Sequence, residues 1–221
     1  MSSMYHFVTD FFREGGEFMY LILVISVIAM ATVIERGYMI LFRYNINGAA
    51  FMAQIQKLVM ANNIDRAIKL CNAESNSALT RVLKAGLTRA NRSALEIQNA
   101  VDEATLETIP QLQKRTPYLA MWANVATLTG LLGTISGLVI AFKAVATAAP
   151  EEKQQMLAQG ISVAMYTTAF GLVVAIPVMI CHSIISNRTV KLIDEIDQYS
   201  VKLINLLSAR QRGSLKEGGE G

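Results

Sequence analysis

Two apolar stretches of this chain carry threonines and glycines but no charge. GLLGTISGLVIAF begins at Gly130, and GISVAMYTTAFGLVVAIP begins at Gly160. A hydroxyl both donates and accepts hydrogen bonds but does not ionise near neutral pH. Polar groups within apolar segments tend to mark the paths of ions or protons. The threonines are therefore candidates to relay a proton or to hold water or an ion.

The spacing of these residues fits one face of a helix in each stretch. One stripe begins just before the first stretch and contains Thr127, Gly130, Thr134, Gly137 and Ala141. The other ends just after the second stretch and contains Ala164, Thr168, Gly171, Ala175 and His182. Residues four and seven apart lie on the same side of a helix. Two interpretations remain open: close helix packing, for which Gly133 and Gly137 have the spacing, or a narrow polar seam.

Several kinds of chemistry have no support in the sequence. There is no phosphate-binding loop and no Ser/His/Asp arrangement, and the cysteines, Cys71 and Cys181, lie far apart. His6 and His182 are expected on opposite sides of a membrane. The net charge of +3 is too weak and too dispersed for nucleic-acid binding. We therefore expect neither an enzyme, nor a metal site, nor a cofactor.

Three windows are long and apolar enough to cross a bilayer, for which about 20 residues are needed. They cover residues 18–42, 118–149 and 161–187. The sequence therefore predicts an all-α integral membrane protein with three spans and long helical extensions. Glu35 and Arg36, near the end of the first window, are expected to be an interfacial pair that snorkels toward water.

The distribution of basic residues predicts the orientation. Lys and Arg are frequent in segments 43–117 and 188–221, but residues 1–17 contain only Arg13 and residues 150–160 only Lys153. Cytoplasmic segments are the ones enriched in Lys and Arg. We therefore predict a periplasmic N-terminal segment (1–17), a cytoplasmic helical domain (43–117), a short periplasmic loop (150–160) and a cytoplasmic C-terminal helix and tail (188–221).

The cytoplasmic segment is predicted to be helical. Ser93 and Glu96 have the spacing of a capping box at the start of a helix. Apolar residues follow at helical spacing, while Pro110 and Pro117 are expected to interrupt this helix as it enters the second span.

The chain resembles the ExbB/TolQ branch of the MotA/TolQ/ExbB ion-channel family. The resemblance rests on GLLGTISGLVIAF, on GISVAMYTTAFGLVVAIP and on IERGYMILFRY at the end of the first window. It covers nearly the whole chain, including the order of three spans and the long cytoplasmic loop. MotA-type subunits have four spans, so three spans favour the ExbB/TolQ branch.

The resemblance implies a bacterial inner-membrane motor. Five copies of the chain would surround two transmembrane helices of a single-span ExbD/TolR-like partner, each carrying an aspartate. Thr134 and Thr168 match the family threonines that line the ion path. The motor would couple the proton motive force to work on the envelope, in TonB-dependent transport, a Tol-type system or gliding, with a TonB-like or TolA-like protein as a further partner.

One residue departs from the family pattern. Many members have a glutamate where this chain has Val163, and Thr167, one helical turn away, keeps a hydroxyl on the same face. A hydroxyl cannot replace an ionisable group, so the sequence leaves open whether the transported ion is H⁺ or Na⁺. The same departure keeps an alternative function open, a non-conducting membrane scaffold. His182 is a candidate for the cytoplasmic exit, although a packed or interfacial histidine is the simpler explanation.

The predicted orientation can be tested by cysteine labelling. A membrane-impermeant thiol reagent applied from the periplasm should modify Gln154→Cys but not Asn91→Cys, because only the first lies in a predicted periplasmic segment. Labelling of both after membrane permeabilisation is the control. The opposite pattern in intact cells would contradict the orientation.

Overall fold

The computed structural model describes residues 15–44, 46–74 and 77–217 of the protein, which form helices joined by short turns. The elements are α1 (Glu17–Tyr38), a π-helical turn (Met39–Arg43), α2 (Gly48–Met60), α3 (Ile64–Ala73), α4 (Ala78–Thr88), α5 (Ala94–Gln113), α6 (Thr116–Thr147) and α7 (Lys153–Glu217). No strand occurs in these described ranges, so the prediction of an all-α chain is confirmed for them. Most of the predicted segment 1–17 and the end of the predicted tail lie outside the described residues.

Among the described residues, three helical stretches are long and apolar enough to cross a membrane, Glu17–Leu41, Ala94–Thr147 and Lys153–Arg212, and each overlaps one of the three predicted windows. The 22 residues of α1 extend about 33 Å, close to the thickness of a bilayer's hydrocarbon core. Large apolar side chains on these helices are exposed, among them Val27, Ile140 and Val173. Such exposure is unfavourable in water but not in lipid. The chain is therefore a membrane protein.

Contacts divide the chain into two compact units. The span unit contains the described residues up to Arg36 together with Arg115–Ile184. The bundle unit contains Gly37–Lys114 and the described residues from Ile185 onward. Helix α7 contributes to both units, because the division falls within it.

The start of α6 differs from the sequence-based expectation. Helix α5 continues through Pro110 to Gln113, so the interruption lies at Lys114 and Arg115 instead. Arg115 has a left-handed backbone with φ of 64°, and Pro117 lies in the first turn of α6. A proline is tolerated there because the first N–H groups of a helix have no partner within the helix.

Within the span unit, the end of α1 contacts the start of α6 through polar groups. The Arg115 guanidinium lies 2.5 Å from the Glu35 carboxylate, and both side chains are partly exposed. Arg36 is 3% exposed, and its Nη2 donates to Thr116 Oγ1 at 3.4 Å. The expectation that Arg36 snorkels toward water is therefore wrong. A hydrogen-bond acceptor within the protein compensates part of the cost of burying its charge.

The bundle unit packs amphipathic helices around an apolar core. Ile55, Leu83, Ile97 and Leu203 are fully buried in it. The Ser93 Oγ accepts from the Glu96 N–H at 3.2 Å and thereby caps the start of α5 as predicted. In a capping box the glutamate would accept from the backbone N–H of Ser93. Here the Glu96 carboxylate accepts from the Ser93 hydroxyl instead, also at 3.2 Å.

The burial of Cys71 gives a test of the bundle unit. Burial raises the pKa of the Cys71 thiol from its ordinary value of 9.0 to about 11. At pH 8 only about one thousandth of this thiol would be thiolate, which is the reactive form. Cys71 should resist iodoacetamide at pH 8 in the folded protein and react fully after unfolding. An Asn91→Cys variant, exposed in the same unit, is the control; equal reaction rates at the two positions would contradict the structure.

Candidate functional site

The site is built where α6 and α7 run side by side in opposite directions. Gly130 lies against Thr168 and Gly171, and Gly137 lies against Ala164. Residues later in α6 contact residues earlier in α7, so the two helices are antiparallel. All four glycines predicted to pack between helices, Gly130, Gly133, Gly137 and Gly171, lie at this contact.

The two backbones approach so closely that side chains would separate them. A Cβ on Gly171 would lie 2.9 Å from the carbonyl oxygen of Ala126, and one on Gly133 would lie 2.8 Å from Cβ of Thr167. Apolar helices in lipid gain nothing from hiding apolar surface from each other, so van der Waals contact must hold them together. Small residues make that contact extensive.

Thr134 and Thr168 meet within this contact. Their hydroxyls are hydrogen-bonded to each other, one from each helix. The Thr134 hydroxyl also lies within hydrogen-bond distance of two carbonyl oxygens, Gly130 at 3.2 Å and Ala164 at 3.1 Å. The Thr168 hydroxyl lies 3.4 Å from the same Gly130 oxygen. Two hydroxyls and two backbone carbonyls therefore form one cluster, which we call the hydroxyl cluster.

The hydroxyl cluster has more acceptors than protons. Each threonine has one O–H, and the Thr134 proton can point to Gly130, to Ala164 or to Thr168. The protons can therefore reorient without leaving a hydroxyl unpaired. None of these four groups ionises near neutral pH, so the cluster can pass or orient a proton, or coordinate an ion through oxygen, but it cannot itself supply the charge.

The other predicted pathway residues do not bond across from one helix to the other. Thr167 is buried against Gly133, and its hydroxyl donates at 2.9 Å to Ala164 of its own helix, the same carbonyl oxygen that Thr134 reaches, so Thr167 adjoins the hydroxyl cluster. Thr127 also bonds its own helix, at Ala123 with a distance of 3.1 Å. His182 is partly exposed and lies about 21 Å along α7 from Thr168. Whether these residues take part in function stays a prediction.

Sequence reasoning missed the carbonyl acceptors and Gly160. The Gly130 carbonyl precedes Thr134 by four residues, the spacing at which a threonine bonds its own helix, so this acceptor had a sequence signal. The Ala164 carbonyl had none, because it comes from the other helix. Gly160 packs against Ala141, and its spacing of four from Ala164 was a signal that it belonged to the stripe.

Val163 lies beside a cavity of about 350 Å³ between α6 and α7. Gly137, Ala141 and Gly160 form part of its wall, and Gln159, one turn before Val163, contributes an amide. The wall is mainly apolar, and none of the described residues that line it carries a carboxylate.

Comparisons with known proteins agree with this architecture. The profile of the MotA/TolQ/ExbB proton channel family matches residues 74–198, more than half of the chain, and this range includes the hydroxyl cluster. A protein of Methanothermobacter thermautotrophicus described as a biopolymer transport ExbB homolog is 25% identical over 190 residues, which cover 86% of this chain and 67% of that protein.

Two further relatives have names from the same branch. The Tol-Pal system protein TolQ of Haemophilus influenzae is 38% identical over 89 residues, 40% of this chain and 39% of TolQ. ExbB-like protein 1 of Synechocystis sp. is 27% identical over 173 residues, 76% of this chain and 66% of that protein. The matched part thus spans about two thirds of the two ExbB-named relatives and less than half of TolQ.

The contact between α6 and α7 predicts a strong effect of one added methyl group. Gly171→Ala should destabilise the protein by about 1–3 kcal/mol, because the new Cβ would lie 2.9 Å from a backbone oxygen that cannot move aside cheaply. Gly37→Ala is the matched control, since no atom lies within 4 Å of a Cβ at that helical position. Unfolding in detergent measures both; equal stabilities would contradict the close approach.

Proposed function

Because this chain belongs to the MotA/TolQ/ExbB proton channel family, in its ExbB/TolQ branch, we propose that it is the ion-conducting subunit of an energy-transducing membrane motor. The motor couples an ion gradient, most simply the proton motive force, to mechanical work on the cell envelope. The observation that carries this proposal is the hydroxyl cluster, which joins Thr134 and Thr168 within the span unit.

The ionisable group of the path comes from another protein in this proposal. The hydroxyl cluster contains no acid, and a proton path through it requires a titratable group nearby. A single-span ExbD/TolR-like partner would supply an intramembrane aspartate beside Thr134 and Thr168. A buried aspartate is sensitive to every nearby dipole, so the two hydroxyls would influence its protonation.

The assembly we propose is a ring of five copies around two partner helices in the bacterial inner membrane, with the N-terminus periplasmic and the C-terminus cytoplasmic. The names of the relatives refer to biopolymer transport and to the Tol-Pal system. A TonB-like or TolA-like protein would then receive the mechanical work.

A non-conducting scaffold is the second candidate function. Val163 favours it, because an apolar side chain stands where many family members carry a glutamate, and the part of the chain that the structure describes places no carboxylate in the wall of the cavity beside it. A sodium-driven version of the motor is the remaining alternative, since hydroxyl and carbonyl oxygens can also coordinate Na⁺.

Replacing the two threonines by valine separates these functions. Valine keeps the shape of threonine but removes the hydroxyl, so Thr134→Val and Thr168→Val should each abolish ion-driven work. Assembly should change little, since intramembrane hydrogen bonds contribute on average only about 0.6 kcal/mol. Serine at either position should retain part of the activity. Ion-driven work is measured as growth that depends on the driven system. Assembly is measured as co-purification of the partner.

The matched control for these variants is Thr129→Val. Thr129 is also buried in α6, but its hydroxyl donates only to Val125 of its own helix, at 2.7 Å. This variant, like Val163→Ala, should remain active. Full activity of the Thr134→Val, Thr168→Val double variant would refute the pathway and leave the scaffold as the explanation. Replacing the proton gradient by a Na⁺ gradient in the same assay identifies which ion is transported.

A further inference from the structure

Helix α6 carries a single amide side chain, and that side chain is exposed. Asn124 is the only asparagine or glutamine between Thr116 and Thr147. It lies nine residues, or about 13.5 Å, along the chain from Arg115, which pairs with α1. The structure gives this amide no hydrogen-bond partner within the described part of the span unit. An amide that faces hydrocarbon alone is costly, so another polar group must cover it.

Helix α7 carries a complementary group, a backbone carbonyl without its usual donor. In an α-helix the carbonyl of Val173 would accept from the N–H of residue 177, but Pro177 has no N–H. Val173 is 65% exposed and Pro177 is exposed as well, so the described helices leave this side of α7 uncovered. Neighbouring helices are among the elements that bond a carbonyl freed by proline within a membrane.

The amide and the carbonyl lie at nearly the same depth in the span unit. A Cβ on Gly130 would lie 3.3 Å from Cα of Thr168 and 3.4 Å from Cα of Gly171, so Gly130 is level with the midpoint of these two residues. Asn124 lies about 9 Å from that level and Val173 about 5 Å, in the same direction because the helices are antiparallel. The Val173 carbonyl points onward along α7, so the two groups differ in depth by about 3 Å.

The two groups lie at opposite edges of the α6/α7 pair. A helix turns about 100° per residue, so Asn124 is about 140° around α6 from Gly137, which faces α7. Val173 is about 160° around α7 from Gly171, which faces α6. The pair therefore presents a donor at one outer edge and an acceptor at the other.

The surroundings of both groups are apolar and uncharged. The exposed side of α6, which we call the amide flank, contains Met121, Asn124 and Leu128. The exposed side of α7, which we call the carbonyl flank, contains Val173, Pro177 and Ile180. Residues 116–142 and 154–184 contain no Asp, Glu, Lys or Arg. No charge therefore opposes a contact between the two flanks.

We propose that the amide flank of one copy packs against the carbonyl flank of the next, with the Asn124 amide donating to the Val173 carbonyl. This inference rests on the ring of the proposed function. Copies inserted in one bilayer in the same orientation share one depth, so a donor and an acceptor level within one chain are level between two chains. The contact joins two different faces, so it repeats from copy to copy until a ring closes.

A second copy fits these flanks better than lipid or a single-span partner does. Lipid acyl chains offer the amide neither a donor nor an acceptor. Two partner helices inside a ring of five, as proposed above, cannot face all five Asn124 amides alike. The next copy, by contrast, supplies one Val173 carbonyl for every amide.

Disulfide cross-linking between two differently tagged full-length chains tests this contact. Both chains carry Cys71→Ala and Cys181→Ala; one also carries Leu128→Cys and the other Val173→Cys. Leu128 lies one turn from Asn124 on the amide flank. Oxidation in membranes should give a doubly tagged dimer about tenfold more efficiently than a control pair, because a disulfide forms only between closely spaced Cβ atoms.

The control pair is Leu128→Cys with Val24→Cys. Val24 of α1 is 55% exposed, and it is twelve residues from Arg36, as Leu128 is from Thr116. The end of α1 contacts the start of α6, and the start of α1 lies against Val163, so the two helices are antiparallel. Val24 is therefore level with Leu128 but lies outside both flanks.

A double-mutant cycle tests the hydrogen bond itself. Asn124→Leu removes the donor, and Pro177→Ala gives the Val173 carbonyl an N–H from its own helix. Each substitution should weaken assembly in detergent by about threefold per contact, the typical effect of one hydrogen bond between membrane helices. The double variant should assemble no worse than either single variant, because both changes remove the same bond. Losses that simply add would overturn the bond.

The mass of the unsubstituted complex in mild detergent separates the two proposals. A ring of intact mass with cross-linking no higher than the control would overturn this contact and leave the ring standing. Cross-linking of Leu128→Cys to a different membrane protein would also overturn it. A single-copy mass for the unsubstituted chain would overturn the ring itself, and this contact with it.

Discussion

The close approach of α6 and α7 is the constraint on which the site depends. Two apolar helices in lipid gain no free energy by hiding apolar surface from each other, so they must gain it from contact. Gly130, Gly133 and Gly137 provide that contact because they allow the backbone of one helix to lie against the other. A single larger residue on this stripe would move the helices apart along their common length.

The same contact determines the chemistry. The Thr134 hydroxyl reaches a carbonyl on α7 and the Thr168 hydroxyl only because Gly137 and Ala164 lie side by side. Each of the two hydroxyls has at least one backbone carbonyl within hydrogen-bond distance, so its proton has an acceptor when the hydroxyl rotates. A polar cluster of this kind costs little in an apolar environment, and a charged group that approaches it can reorient its dipoles without leaving a donor unpaired.

The bundle unit obeys different physics because its helices have apolar cores and polar surfaces. Buried residues such as Leu83 and Ile97 gain free energy by leaving water, and helix caps such as Ser93 satisfy backbone N–H groups.

The sequence by itself determined the helical class, the three spans and the small-residue stripes, because composition and helical period act locally along the chain. It also placed Thr134 and Thr168 on their stripes. The sequence could not decide that Arg36 is buried while Glu35 pairs with Arg115, since these contacts join residues 80 positions apart. Nor could it distinguish Thr168, which reaches across to α6, from Thr167, which bonds its own helix. Neighbouring threonines have the same local propensities, and only the rotation of α7 against α6 decides which hydroxyl crosses the contact.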